Sequence, residues 1–221
     1  MMDFNSFKEI IVAEFPELTP EMLRKYEAME ALYEEWNAKI NVISRKDIGG
    51  LYLHHVLHSL AIASYLKRRR PEVYSVWTEG ASVLDLGTGG GFPGIPLAVM
   101  FPNVRFTLCD SVGKKIIVAS EVSKALSLGN VTTVNARAES LPQVFDNVVS
   151  RAVTSLDNFY PWVKGKFSGS ILYLKGGDIV PEISDMMAKN RLRAGCVSTW
   201  PVDSWLQDEY FKEKFVIEIA K

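Results

Sequence analysis

Ser82-Val-Leu-Asp-Leu-Gly-Thr-Gly-Gly-Gly-Phe-Pro-Gly94 is the stretch whose reading decides the fold. Val83, Leu84 and Leu86 form a short apolar run of the kind buried in a parallel sheet. An acid, Asp85, stands near its end, and four glycines follow between Gly87 and Gly91. After Phe92-Pro93-Gly94 comes a helix-like apolar segment, Ile95 to Met100. Strand, glycine turn and helix in that order make a nucleotide-type ligand site. Glycine is needed in such a turn because a side chain would hold the backbone away from the ligand.

Two ligands can claim the turn. Gly89, Gly91 and Gly94 satisfy the dinucleotide spacing G-x-G-x-x-G, but so glycine-rich a loop fits several templates. The competing pattern is Asp85-x-Gly87-x-Gly89-x-Gly91. A carboxylate at the strand end suits a ligand with a positive amine, such as the methionine end of S-adenosylmethionine. It suits a pyrophosphate poorly, since two anions would be brought together. Pro93 also removes a backbone N–H from the turn that would cradle a phosphate. The turn therefore favours S-adenosylmethionine.

Working outward, the strands begin only at Ser82. Before them, residues 3–15 carry Phe4, Phe7, Ile10, Ile11 and Phe15 at helical spacing, and Pro16 ends the segment. Thr19-Pro20-Glu21 gives an N-cap, a proline at the first helical position and an acid in the first turn. Met22, Tyr26, Met29, Tyr33 and Trp36 continue as a stripe, read as core rather than as a base-stacking platform. Residues 37–45 read as a turn. Asp47 is placed to cap a third helix that carries Leu51 to Leu66, runs into Lys67-Arg-Arg-Arg70 and stops at Pro71. Residues 1–70 thus read as a helical cap, 71–81 as a linker or junction, and 71–221 as an α/β domain.

Beyond the glycine turn the alternation is regular. Strands are predicted at 104–109, 131–134, 145–150 and 170–174, with helices at 94–101, 113–128 and 155–164 between them. A polar helix (182–190) and two strands, near 195–200 and at 214–219, close the chain as a hairpin. With strand 82–86 this makes a doubly wound, mostly parallel α/β sheet of seven strands.

The composition sets limits. The chain has 221 residues, 48% of them hydrophobic and 23% charged, which suits a globular protein with a sizeable core. The formal net charge is −1, so any case for nucleic-acid binding rests on local basic patches. Three are candidates: Lys67 to Arg70, Lys114-Lys115, and Lys164 with Lys166 and Lys175. Cys109 and Cys196 are far apart and suggest neither a disulfide framework nor a zinc site. His55 and His58 share a helix face, but no third metal ligand is evident. No signal peptide or membrane-spanning run is visible, so a cytoplasmic protein is expected.

In a doubly wound sheet the ligand lies beyond the carboxyl ends of the strands. That rule selects Asp85 to Phe92, Asp110, Ala136 to Glu139, and Ser150-Arg151. Asp110, after the second strand, is placed to accept from both ribose hydroxyls, or to cap the helix that follows. Ala138-Glu139 would lie at the adenine edge.

Together these residues carry a resemblance. Asp85-Leu-Gly-Thr-Gly-Gly-Gly-Phe-Pro-Gly-Ile-Pro-Leu-Ala resembles the motif of the bacterial 16S rRNA guanine-N7 methyltransferases, also called glucose-inhibited division protein B. Trp36-Asn37 with Asn41-Val-Ile-Ser, Asp110-Ser-Val-Gly-Lys-Lys115, Arg137-Ala-Glu139, Ser150-Arg-Ala-Val153 and Lys175-Gly-Gly177 match further stretches. The resemblance covers about residues 20 to 219. It implies the class I, Rossmann-like methyltransferase fold and methyl transfer from S-adenosylmethionine to a guanine N7 in 16S rRNA, with that rRNA expected within the small ribosomal subunit and no oligomer expected. By position it implies cofactor contacts at Gly87, Phe92, Ala138, Glu139 and Arg151. One departure stands out: where the family commonly has aspartate, three residues after a histidine, this chain has His58. Two alternatives stay open, a small-molecule methyltransferase and an inactive RNA-binding assembly factor.

Overall fold

A computed structural model describes residues 2–44 and 46–221 of the chain. Arg45, at the end of the predicted turn, lies outside the described residues.

The N-terminal segment is helical, as expected. Helix α1 (Phe4–Glu14) is capped by Asp3, whose carboxylate accepts from the Ser6 N–H at 2.9 Å. Helix α2 (Pro20–Lys39) starts with Thr19 as N-cap and Pro20 at its first turn. It overruns the predicted end at Trp36 by a turn. The Asn37 side chain then ties the chain that follows: its Oδ1 accepts from the N–H groups of Val42 and Ile43, and its Nδ2 donates to the Ile43 carbonyl.

Two readings of this region need correction. The third helix is not one regular helix capped by Asp47. A 3-10 turn (Ile48–Gly50) leads into a π-helical segment (Leu51–Leu57), and only then comes α3 (His58–Arg69). Asp47 makes no cap bond; its carboxylate goes to His54 and His55 instead. The supposed linker is also a helix, α4 (Pro71–Glu79). Pro71 ends one helix and opens the next, because proline is tolerated at a first helical position. The fully buried Trp77 ties α4 down, its indole N–H donating to Asn147 Oδ1 at 2.9 Å.

The sheet has seven strands: β1 (Ser82–Leu86), β2 (Arg105–Asp110), β3 (Val131–Asn135), β4 (Phe145–Arg151), β5 (Phe167–Gly176), β6 (Val197–Pro201) and β7 (Lys214–Ala220). Their order is β3-β2-β1-β4-β5-β7-β6. The first five are parallel; β7 runs antiparallel between β5 and β6. The closing hairpin therefore exists, with its second strand inserted next to β5. Helices α5 (Gly94–Met100) and α6 (Gly113–Ala125) follow β1 and β2, and α7 (Leu156–Val163) and α8 (Val180–Asn190) flank β5.

Each face of the sheet has its own core. Helices α7 and α8 cover one, with Phe159, Val163 and Met186 against Val148, Ile171 and Ile219. On the other, side chains of α1, α2 and α3 pack continuously with α4, α5 and α6 and with Val149, Leu172 and Val216 of the sheet. Tyr26, Met29 and Tyr33 of α2 are fully buried, which makes the stripe core as expected. Each such side chain is worth roughly 1.5–3 kcal/mol of burial. Their hydroxyls are satisfied as well, Tyr26 donating to the Pro96 carbonyl and Tyr33 to the Gly90 carbonyl, both at 2.9 Å.

Candidate cofactor site

The carboxyl ends of β1 to β4 surround a cavity of about 490 Å³. Its walls include Gly87, Asp110, Ser111, Ala138, Glu139 and Arg151, with Lys115, Arg137, Val153 and Trp162 toward its edges. Five of the seven residues singled out from the sequence are therefore brought together on one cavity wall.

Gly87 has φ 72°, and a Cβ there would come within 2.3 Å of Val153 Cγ2. Only glycine fits both the backbone and the space. Asp110 is half committed: Oδ2 accepts from the Gly89 N–H at 2.9 Å and Oδ1 from the Val112 N–H at 2.8 Å. Helix α6 has Val112 as its N-cap and no side-chain cap bond, so Asp110 braces the turn before the helix instead of capping it. A carboxylate has about four acceptor positions, and this one borders the cavity. Ala138 and Glu139 open a short 3-10 turn (Ala138–Ser140). The leading N–H groups of a helical turn have no acceptor within it, so they are available to a ring nitrogen.

Asp85 and Phe92 are placed differently from expectation. Asp85 is fully buried and lies behind the cavity wall. Its Oδ2 accepts from the Thr88 hydroxyl at 2.6 Å and the Gly94 N–H at 2.8 Å, so it braces the glycine turn from below. Its Oδ1 is buried without a partner among the described residues, and burial pushes the carboxyl up to about 7. It does not reach out to meet a ligand amine. The Phe92 ring is also buried, packed on Tyr33 with centroids 4.7 Å apart and beneath the Arg151 guanidinium at 5.3 Å. It supports Arg151 from below rather than forming the cavity wall.

Arg151 ends β4. Its Nη1 donates to the His54 carbonyl at 3.1 Å and its Nη2 to His55 Nδ1 at 2.9 Å. Ala152, next in the chain, sits in the left-handed region at φ 46°, uncommon for a residue with a Cβ. Tyr173 of β5 holds that turn: its hydroxyl accepts from the N–H groups of Val153 and Thr154 and donates to the Thr154 carbonyl at 2.8 Å. His58, where the departure from the family pattern falls, is buried, and neither ring nitrogen has a partner among the described residues. Burial and the nearby positive charge of Arg151 and Lys214 hold it neutral. The carboxylate nearest in the hydrogen-bond chain to Arg151 is Asp47, reached through His55.

Sequence reasoning missed Asp47, Tyr33 and Tyr173 as builders of the site. Asp47 carried a signal in its two nearby histidines, but the wide π-helical turn that brings both to one carboxylate has no periodicity to read.

The basic groups divide sharply. Lys67 donates to the Glu14 carbonyl and pairs with Glu17, Arg68 pairs with Glu14, and Arg70 pairs with Glu72 and the buried Glu218. Their helix end lies some 18 Å from His58 at 1.5 Å per residue. Lys67, Arg68 and Arg70 thus clamp the helix end to neighbouring carboxylates, while Arg69 is exposed and has no carboxylate partner among the described residues. Lys175 is likewise paired, with Glu182 at 2.8 Å, and Lys166 donates to the Leu141 carbonyl. Lys114, Lys115 and Arg137 have no carboxylate partner among the described residues, and the latter two line the cavity.

The whole arrangement suits S-adenosylmethionine. Acceptors stand where a ribose would lie, backbone donors where an adenine edge would lie, and an arginine with spare N–H groups faces the third side. The volume falls in the range of small-ligand sites, roughly 300–1,000 Å³.

Comparison with known proteins agrees. A family model described as rRNA small subunit methyltransferase G (GidB) matches residues 22–203. The chain is 44% identical to the ribosomal RNA small subunit methyltransferase G of Flavobacterium psychrophilum, over 96% of this chain and 97% of that one. It is 46% identical to the protein of the same name from Porphyromonas gingivalis, covering 95% and 91%. Among solved structures, the magnesium protoporphyrin IX methyltransferase of Synechocystis with bound S-adenosylmethionine superposes with a TM-score of 0.58 at 15% identity, covering 100% and 98%. The ribosomal protein L11 methylase of Lactobacillus delbrueckii gives 0.54 at 12% identity, covering 75% and 79%. These structural likenesses concern the fold alone.

Proposed function

The chain belongs to the rRNA small subunit methyltransferase G (GidB) family, and from that premise we propose that it methylates N7 of one guanine in 16S rRNA within the small ribosomal subunit. It is an S-adenosylmethionine-dependent methyltransferase acting on small-subunit rRNA. The nitrogen, the single nucleotide and the assembled subunit are the proposed refinements.

The observation that carries the reading is the cavity at the strand ends, where Asp110, the Ala138-Glu139 turn and Arg151 are gathered around room for a cofactor. The acids on its wall, Asp110 and Glu139, serve that cofactor in this reading, and no base is required of them, because guanine N7 has a lone pair and no proton. The bound cofactor supplies a sulfonium methyl, an electrophile that such a lone pair attacks directly. The chain's own residues then have three tasks: to hold the cofactor by Asp110, Ala138, Glu139 and Arg151, to hold the base in line with the methyl, and to exclude water. Asp85, withdrawn behind the wall, keeps the glycine turn in shape for this. The product base is cationic, and Arg151 on the cavity wall is already tied to the cap. RNA phosphates are met by Lys114, Lys115 and Arg137 at the cavity rim, which makes binding salt-dependent. No helix among the described residues is long and apolar enough to cross a membrane, and a cytoplasmic place beside the ribosomal subunits fits the substrate.

The test uses small subunits that lack the modification, incubated with the enzyme and methyl-labelled cofactor. Borohydride and aniline then cleave the rRNA at N7-methylguanine. One cleavage site is the expected result, and label on another nitrogen, or only on a small metabolite, would refute the reading. Replacing Lys114 and Lys115 by alanine should weaken RNA binding and flatten its salt dependence by about two counterions, while leaving cofactor affinity within twofold. Replacing Lys67 and Arg68, which are paired with Glu17 and Glu14, should leave RNA binding unchanged.

A further inference from the structure

Arg151 is a half-buried cation on the cavity wall, and residues about a hundred positions earlier in the chain hold it. A guanidinium only donates hydrogen bonds. His55 Nδ1, which receives the Arg151 bond at 2.9 Å, is therefore an unprotonated acceptor. The ring hydrogen must then sit on Nε2, which donates to Asp47 Oδ2 at 2.7 Å. The tautomer follows from the geometry without further assumption. Asp47 Oδ1 takes His54 as well, and the His54 carbonyl accepts both from Arg151 and from the Tyr210 hydroxyl at 3.2 Å. The His54 ring stacks on Tyr210 with centroids 4.0 Å apart.

Every one of these partners depends on the π-helical segment Leu51–Leu57. His54 and His55 are adjacent, and in a regular helix adjacent side chains diverge by about 100°. Here both reach one carboxylate. π-helical turns are rare and concentrate at functional sites. Two of the five Arg151 N–H groups are used, so three have no acceptor among the described residues. Guanidinium donors held in place on a cavity wall are suited to meet an anionic group there.

We propose that Asp47 and His55 are positioning residues for the methyl-transfer site: as a carboxylate–imidazole–guanidinium chain they fix Arg151 over Phe92 and aim its three remaining N–H groups at an oxyanion in the cavity. That oxyanion is either the carboxylate of the cofactor's methionine end or an RNA phosphate. The proposal rests on the reading that Arg151 faces the bound ligand. It extends that reading to residues that themselves touch neither ligand.

Four variants of the full-length chain test this: Arg151→Met, His55→Leu, His55→Gln and Asp47→Asn. Binding of S-adenosylmethionine is measured by calorimetry without RNA, binding of small-subunit RNA by filter retention without cofactor, and the thermal midpoint is recorded for each. Arg151→Met is expected to weaken one of the two ligands by tenfold or more, and which one names the oxyanion. His55→Leu should weaken that same ligand by about tenfold, the loss of one hydrogen bond to a charged group. His55→Gln should restore most of the affinity, since an amide accepts from Arg151 and donates to Asp47 as the imidazole does. In the Arg151→Met background His55→Leu should add less than twofold. Wild-type affinity in His55→Leu, or an equal loss in the Arg151→Met background, overturns the positioning chain. Unchanged affinity for both ligands in Arg151→Met overturns the underlying reading of Arg151 instead. Should His55→Leu not fold, Asp47→Asn carries the same double-mutant comparison, because Asp47 lies at the surface end of the chain with its side chain 33% exposed.

Discussion

At the scale of single residues, charge is decided by burial. Asp85 and Asp110 both stand at strand ends, and from the sequence both read as ligand acceptors. Asp110 borders the cavity. Asp85 is sealed beneath the glycine turn, where it binds Thr88 and the Gly94 N–H, and burial pushes its carboxyl up to about 7. A carboxyl raised in the folded state binds its proton more tightly there than in the unfolded chain. Its contribution is fully present below about pH 4 and is lost as pH rises toward 7, by up to about 1.4 kcal/mol per pH unit. The wild-type protein should therefore lose stability relative to Asp85→Asn between about pH 4.5 and 7, and the difference should level off above that. Urea denaturation at a series of pH values checks this, and a difference that grows in the opposite direction would rule it out.

At the scale of elements, the glycine turn separates into positions that serve packing and positions that serve space. Gly91 has φ 110°, and a Cβ there would come within 2.3 Å of Ile95 Cδ1 and 3.1 Å of the Tyr33 hydroxyl. Gly89 has φ 58° and nothing within 4 Å of such a Cβ. Gly91→Ala should thus cost roughly 2–4 kcal/mol of stability, from backbone strain and overpacking together. Gly89→Ala should cost only about 1 kcal/mol, the price of a left-handed alanine. Its larger effect should be on cofactor affinity, since the methyl group projects into open space next to Asp110. Thermal midpoints and cofactor titrations of the two variants should rank in opposite orders. Strand, turn and helix here were legible because their signals are local: an apolar run, glycines, a change of period. The π-helical turn at 51–57 and helix α4 were not. The first differs from an α-helix by a shift in hydrogen bonding that leaves the residue pattern unchanged, and the second hides behind a proline that also reads as a stop.

At the scale of the whole molecule, the N-terminal helices are part of the site. Tyr33 reaches the Gly90 carbonyl, Val42 packs against Gly90, and Asp47 and His55 hold Arg151. The change at residue 70 is one of secondary structure, while the hydrophobic core runs across it from Phe7 to Val216. A fragment of residues 71–221 would expose the face of α5 and β5 that α2 and α3 now cover, and should not unfold cooperatively or bind S-adenosylmethionine. Circular dichroism melting and calorimetry on the fragment check this, and a sharp transition with wild-type cofactor affinity would show that the two parts are separable.

By itself the sequence determined the order of elements, the ligand edge of the sheet and the class of ligand. Those depend on hydrophobic period, glycine and strand-end acids, all set by neighbours in the chain. The family resemblance added the acceptor. Only the tertiary structure decided which acids border the cavity, which basic groups are paired, and what holds Arg151. Each of those turns on burial or on partners some fifty to a hundred and fifty positions away, and no local pattern encodes a distance across the fold.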